Sequence, residues 1–259
     1  MRKQSLFIVV NIIALGVTIA VNALANILPL NGQTTGEISN RFASYIVPAG
    51  FTFGIWSVIY VGLMVFAAVQ ALPGWRDRAL VRSVGSLFLV TCVANTAWIV
   101  LWHYEYYLAT LLVMLVLLAT LLAIYLRLDA VRDSASRGER LAVAAPFSLY
   151  LGWITIATIA NATVVLLALG WSGSGIAPEV WAAGLVVVAA GIVGAIALLR
   201  VDIAYTSVGV WAFAGVAAGQ WATPIVAWTA VAAAVWSIVA LVSGWRRQRA
   251  DQLLTPLPA

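Results

Sequence analysis

The chain has 259 residues, of which 64% are hydrophobic and 9% charged, with a formal net charge of +5. Soluble domains carry roughly a quarter charged residues, so a mean hydropathy of +1.03 excludes a water-soluble globule and predicts an all-α integral membrane protein. The positive balance calls for no nucleic acid, because basic loops next to a bilayer orient the chain and meet anionic lipid heads.

About 20 helical residues cross an apolar layer of about 30 Å. On that measure the sequence predicts eight spans: Ser5 to Leu30, Phe51 to Ala71, Ser83 to Trp102, Tyr107 to Tyr125, Leu141 to Leu169, Glu179 to Leu199, Ile203 to Gly219 and Ala222 to Gly244. Met1-Arg-Lys and Ala23-Leu-Ala25 give the first span the outward form of a secretory signal. Its apolar run is too long for a usual signal core and carries its own polar stripe, so it is read as a retained helix.

The charges support this reading. Cytoplasmic loops accumulate Lys and Arg. With an inside N-terminus, eight spans place the clusters Arg2-Lys3, Arg76/Arg78/Arg82, Arg127/Arg132/Arg137/Arg140, Arg200 and Arg246/Arg247/Arg249 on one face, and only Arg41 on the other. The expectation is a multi-pass protein of the cell membrane with both termini cytoplasmic. The carboxylates fall in loops or at helix ends, which argues against a proton- or cation-coupled transporter with ionisable relays inside its spans.

Two connections are long, the inner one from Leu126 to Arg140 and the outer one from Asn31 to Gly50. The first reads as a solvated connector. The second, with Arg41-Phe42 and a closing Pro48-Ala-Gly50, has the length of a lid or binding loop. The last three spans read as scaffold or an oligomer contact; Gly209, Ala212, Gly215 and Gly219 line up in the seventh as small residues do where helices pack closely.

Polar and aromatic residues form lines on four of the first five helices: Asn11, Thr18, Asn22 and Asn26; Phe53, Trp56 and Tyr60; Thr91, Asn95, Trp98 and Trp102; and Tyr150, Trp153, Ala157 and Asn161. Spacings of three, four and seven put each line on one helical face. Structural hydrogen bonding between helices accounts for many such Asn residues, and Trp102, Trp171, Trp221 and Trp245, near span ends, read as interfacial anchors. Trp56, Trp98 and Trp153 lie deeper. Indole offers one N–H donor and a flat face, so three inward indoles with amides suit a flat, mostly apolar ligand.

The remaining chemistry is sparse. A lone His103 beside Glu105 excludes a multi-His metal site and a Ser-His-Asp constellation within a span. Cys92, the single cysteine, cannot close an intramolecular disulfide and reads as a small packing residue. No catalytic residue and no required cofactor are expected.

The pattern resembles the translocator protein family, TspO/MBR or tryptophan-rich sensory proteins. Pro48-Ala-Gly50-Phe-Thr-Phe53-Gly54-Ile-Trp56-Ser-Val-Ile-Tyr60 is similar to the family's second-helix motif P-x-G-x-x-F-G-P-x-W-x-x-L-Y. Asn95-Thr-Ala-Trp98 matches its third-helix N-x-x-W. The line from Tyr150 to Asn161 is similar to its fifth-helix motif. This chain has one residue fewer between Gly54 and Trp56, lacks the proline there, and has Leu149 where the family has proline before Tyr150.

The resemblance covers about Ser5 to Leu169. It implies a TspO-like five-helix bundle over residues 1–170, with its outer loop at 31–50, followed by a three-helix transmembrane extension at 171–245 and a cytoplasmic tail at 246–259. It further implies a pocket under the outer loop for a tetrapyrrole, haem or protoporphyrin, or a sterol-like molecule. Trp56, Tyr60, Asn95, Trp98, Tyr150, Trp153, Ala157 and Asn161 would line it, with Arg41 and Phe42 as lid residues, and a homodimer is a family possibility. The expected function is a tryptophan-rich sensory or receptor protein. The alternatives are an exporter of small amphipathic molecules and a porphyrin-degrading enzyme acting through Trp56 and Trp153.

Overall fold

The computed structural model describes residues 2–42 and 44–254, so the end of the tail, 255–259, lies outside the described residues. Among the described residues every regular element is helical. The chain runs through α1 (Arg2–Ile27), a short α2 (Thr35–Arg41), α3 (Ile55–Ala71), α4 (Ala79–Val84), α5 (Leu87–His103), α6 (Tyr107–Asp129), a single turn α7 (Arg137–Glu139), α8 (Ala145–Ala168), α9 (Pro178–Arg200), α10 (Ile203–Gly219) and α11 (Pro224–Leu254).

Six helical segments are long and apolar enough to cross a bilayer: Leu6–Ile27, Gly50–Ala71, Tyr107–Asp129, Arg137–Ala168, Pro178–Arg200 and Pro224–Leu253. The helices in the places of the third and seventh expected spans, α5 and α10, are apolar but have 17 residues each, about 26 Å at 1.5 Å per residue. The third expected span began at Ser83, which instead belongs to α4. Gly85 breaks the helix with φ +51, a conformation that glycine adopts without the Cβ penalty.

Local chemistry sets the helix starts. Thr34 and Ser136 each head a capping box, with Glu37 and Glu139 reaching back to the cap. Such a box satisfies two otherwise orphaned donors. The Asp202 carboxylate accepts from the Tyr205 backbone N–H to start α10, and Pro178 sits in the first turn of α9, where its missing N–H costs nothing. Between α7 and α8 the residues Arg140–Ala144 form a π-helical turn.

The first bundle packs α1 against α5 and α3, and α6 and α8 against one another; α10 joins it to the outer pair α9 and α11. Between apolar helices in lipid, close contact and shared hydrogen bonds replace the hydrophobic drive. The α1 stripe does this work. Asn11 Nδ2 donates to the Gln70 side-chain oxygen Oε1 at 3.1 Å, and the Thr18 hydroxyl lies 3.1 Å from both the Cys92 backbone carbonyl and the Thr96 hydroxyl. Glycines set the approach elsewhere. A Cβ on Gly152 of α8 would lie 3.0 Å from the Tyr205 carbonyl of α10, and one on Gly209 would lie 2.7 Å from Val193 of α9. Where α3 ends and α5 and α8 begin, Phe66, Phe88 and Phe147 close the core edge to face, with centroids 5.0 to 5.9 Å apart.

Candidate functional site: an aromatic cavity beneath a tethered loop

The loop between α1 and α3 is fastened along both halves. In its first half the Arg41 guanidinium pairs with Glu105 at 2.7 Å and also meets the Gln33 side-chain oxygen, while Gln33 Nε2 donates to Glu105 at 3.3 Å. Arg41, and then Gln33, hold the Glu105 carboxyl below its usual range. Asn31 donates to the His103 carbonyl at 3.1 Å, Trp102 Nε1 donates to the Thr35 carbonyl at 3.3 Å, and Phe42 packs edge-on against Tyr107.

The second half of the loop is held by α10. The Ala49 N–H donates to the Gly215 carbonyl at 2.9 Å, Gln220 Nε2 to the Val47 carbonyl at 3.0 Å, and Trp211 Nε1 to the Thr52 carbonyl at 2.9 Å. A Cβ on Gly215 would overlap Thr52 Oγ1, and one on Gly219 would come 2.7 Å from the Ala49 nitrogen. The small-residue line expected to pack helices therefore also seats a loop.

Beneath this roof lies a cavity of about 480 Å3 between α1, α3 and α5, with Asn22, Asn26, Asn40, Trp56, Tyr60 and Trp98 among its walls. A second hollow of about 80 Å3 continues toward α6 and α8, with Asn95, Trp98, Trp153, Ala157 and Asn161 along it. Phe53, Trp56 and Trp98 border both. The rings brace one another: Trp56 stacks on Tyr60 at 5.3 Å and meets Trp153 edge-on at 6.3 Å, Phe53 meets Trp153 at 5.9 Å, and Trp98 stacks on Trp102 at 5.4 Å.

A chain of amides runs from the wall into the core. Asn22 Nδ2 donates to Asn95 Oδ1 at 2.8 Å, and Asn95 Nδ2 donates to the Tyr150 hydroxyl at 2.8 Å. Asn161 Nδ2 donates to Thr110 Oγ1 at 3.0 Å. Four buried polar atoms on residues that border these hollows have no protein partner among the described residues: Thr35 Oγ1, the Tyr60 hydroxyl, Trp98 Nε1 and Asn161 Oδ1. Leaving such a group unpaired costs about 1–3 kcal/mol, so each is a place where the packing around the hollows is incomplete in polar terms.

Of the residues expected at the site, Trp56, Tyr60, Asn95, Trp98, Trp153, Ala157 and Asn161 border these hollows. Tyr150 does not. It is fully enclosed behind Trp56, with ring centroids 5.8 Å apart, and acts as a brace. Arg41 and Phe42 likewise clamp the rim of the loop, and the loop residues facing the cavity include Thr35, Asn40 and Pro48. Trp102, read as an interfacial anchor, is buried at 3% exposure, because its N–H reaches into the loop and its ring is covered by Trp98 and Tyr107. Asn22 and Phe53 were visible on the sequence stripes, and Phe53 also in the family motif, but neither was among the expected site residues, although both border the hollows.

The family model described as TSPO-like protein matches residues 8–243, a span that runs past Leu169 through the last three helices. No curated protein and no solved structure gives a match.

Proposed function

Because this chain belongs to the TSPO-like protein family, we propose that this multi-pass membrane protein is a receptor or sensor for a planar hydrophobic ligand, a tetrapyrrole, held between Trp56, Trp98 and Trp153. In this reading the six long apolar segments and the two shorter helices α5 and α10 all cross the cell membrane, and both termini are cytoplasmic. The observation that carries it is the pair of hollows bordered by Trp56, Trp98 and Trp153, whose lining residues also hold the unpartnered Thr35 Oγ1, Tyr60 hydroxyl, Trp98 Nε1 and Asn161 Oδ1. A flat ring with a few edge heteroatoms meets those needs and stacks on the rings.

The volume of about 480 Å3 lies within the roughly 300–1,000 Å3 of small-molecule sites. The residues suit the macrocycle better than an axially ligated iron. His103 is turned away, with Nδ1 2.8 Å from the Ile99 carbonyl oxygen, and the larger cavity is bordered by no His, Cys or Met. Metal-free protoporphyrin is therefore the appropriate probe.

Titrating the purified protein with protoporphyrin while following tryptophan fluorescence tests this reading. Replacing Trp56 and Trp98 together by alanine is expected to weaken binding about tenfold or more, the equivalent of about 1.4 kcal/mol. Undiminished affinity in that variant overturns the assignment. Movement of the porphyrin across proteoliposomes would favour an exporter, and bleaching of its spectrum under illumination would favour a degrading enzyme.

A further inference from the structure

At the opposite end of the bundle, where α6 finishes and α8 and α10 begin, a second cavity of about 320 Å3 opens. It contains both signs of charge. Arg132 and Arg140 line it together with Asp202, Ser148 and Tyr125.

Asp202 is only 8% exposed, and among the described residues no cation pairs with it. Its carboxylate accepts from Ser148 Oγ at 2.7 Å and from the Tyr205 N–H at 3.0 Å. The Tyr125 hydroxyl, on a residue 6% exposed, faces it without closing a hydrogen bond of ordinary geometry. A buried carboxylate normally has a cationic partner or a full set of donors.

The guanidinium groups are also incompletely used. Arg140 Nε donates to the Ala135 carbonyl at 3.1 Å, and Arg132 makes a long 3.4 Å contact with the Arg200 carbonyl. The other acid on the wall, Asp129, is engaged by Arg200. Arg132 and Arg140 thus have no carboxylate partner among the described ion pairs.

The backbone around the cavity is unusual on two sides. The π-helical turn Arg140–Ala144 forms one edge, and such turns often mark functional positions. Val201, before Asp202, has φ +51, a strained value for a β-branched residue. That strain sets Asp202 at the start of α10, facing the hollow.

From this juxtaposition we infer that the cavity binds a phosphate ester bearing a primary amine, its phosphate between Arg132 and Arg140 and its ammonium on Asp202. Arginine forks match phosphate oxygens, and an ammonium supplies the positive charge that the carboxylate lacks among the described ion pairs. Basic pockets between helix ends lie at the depth where lipid headgroups reside, so an aminophospholipid and a free phosphoethanolamine share the required chemistry.

Native mass spectrometry of the full chain in detergent, offered equal amounts of dioleoyl phosphatidylethanolamine, phosphatidylglycerol and phosphatidylcholine, tests the inference. The expected result is at least fivefold preferential retention of the ethanolamine lipid. Asp202→Asn, which keeps a good helix cap, should reduce that preference to near parity. Arg132→Gln with Arg140→Gln should lower retention of all three lipids about tenfold, and the exposed Arg140→Gln alone about threefold if the double variant fails to fold. Displacement by free phosphoethanolamine would assign a soluble source, and failure to displace, a membrane one; either supports the site. Equal retention of the three lipids by the unaltered protein, or an ethanolamine preference unchanged in Asp202→Asn, overturns it.

Discussion

Asn95 is the residue on which the polar economy of the cavity depends, since it receives from Asn22 and donates to Tyr150. Asn95→Leu should lower stability by about 1–2 kcal/mol, the range for hydrogen bonds between membrane helices and for the groups left unpaired. Chemical unfolding in detergent would measure it. The clamp at Glu105 makes a pH prediction. Arg41 lowers the Glu105 carboxyl from its usual 4.5, so the clamp is complete above about pH 4.5 and is lost as pH falls through the lowered value. A nitroxide at Gly36→Cys, where an added Cβ meets nothing within 4 Å, should gain mobility as pH falls from neutral through that lowered value. In Glu105→Gln the label should be mobile throughout, with a small residual change from Glu37, whose carboxyl is lowered by Thr34. At this scale the sequence, through its stripes, singled out Trp56, Trp98 and Trp153, which border the hollows. It failed at Trp102 and Tyr150, because distance from a span end does not reveal that a loop folds over one ring or that another ring covers the second.

At the scale of elements, α10 is the helix that most changes the reading of the chain. Its glycine line was legible as a packing face, but its partner was not, since nothing in a one-dimensional pattern tells a loop backbone from a neighbouring helix. Gly215→Ala forces a Cβ into Thr52 and should destabilise the protein by about 1–3 kcal/mol, the range for overpacking. It should also weaken ligand binding from a position outside the cavity walls, and Thr52→Ala should restore part of both losses. Parallel ligand titration and thermal unfolding of the single and double variants would check this. The short helix α2 could have been anticipated from Thr34-Thr-Gly-Glu37, a capping-box spacing. The break at Gly85 was less accessible, because a glycine within an apolar run continues a membrane helix as often as it ends one.

For the whole molecule, the alternation of arginine clusters predicts one shared face for several helix ends, and two ion pairs join residues from that predicted face: Arg200 with Asp129, and Arg78 with Glu139 at 3.8 Å. The number of crossings is the sharper test. In a Cys92→Ser background, a cysteine at Arg41 should react with an impermeant maleimide added to intact cells, and one at Arg132 only after permeabilisation. Labelling of both from the same side would remove the eight-span arrangement. Span lengths were the weakest part of the sequence reading. The last helix runs to Leu254, well past the expected Gly244, because Arg246 to Arg249 can extend a helix into the headgroup region while their charges reach water.

The hydrogen bond from Trp211 to the Thr52 carbonyl joins residues 159 positions apart. A ribosome adding about 5–20 residues per second needs roughly ten to thirty seconds to travel that distance. For that interval the aromatic hollow exists without the helix that seats its roof, its indoles open to lipid and to the insertion machinery. On the proposed function, the hollow has its seated roof only once α10 is in place, so a chain ending before α10 is expected to bind protoporphyrin less tightly than the full chain.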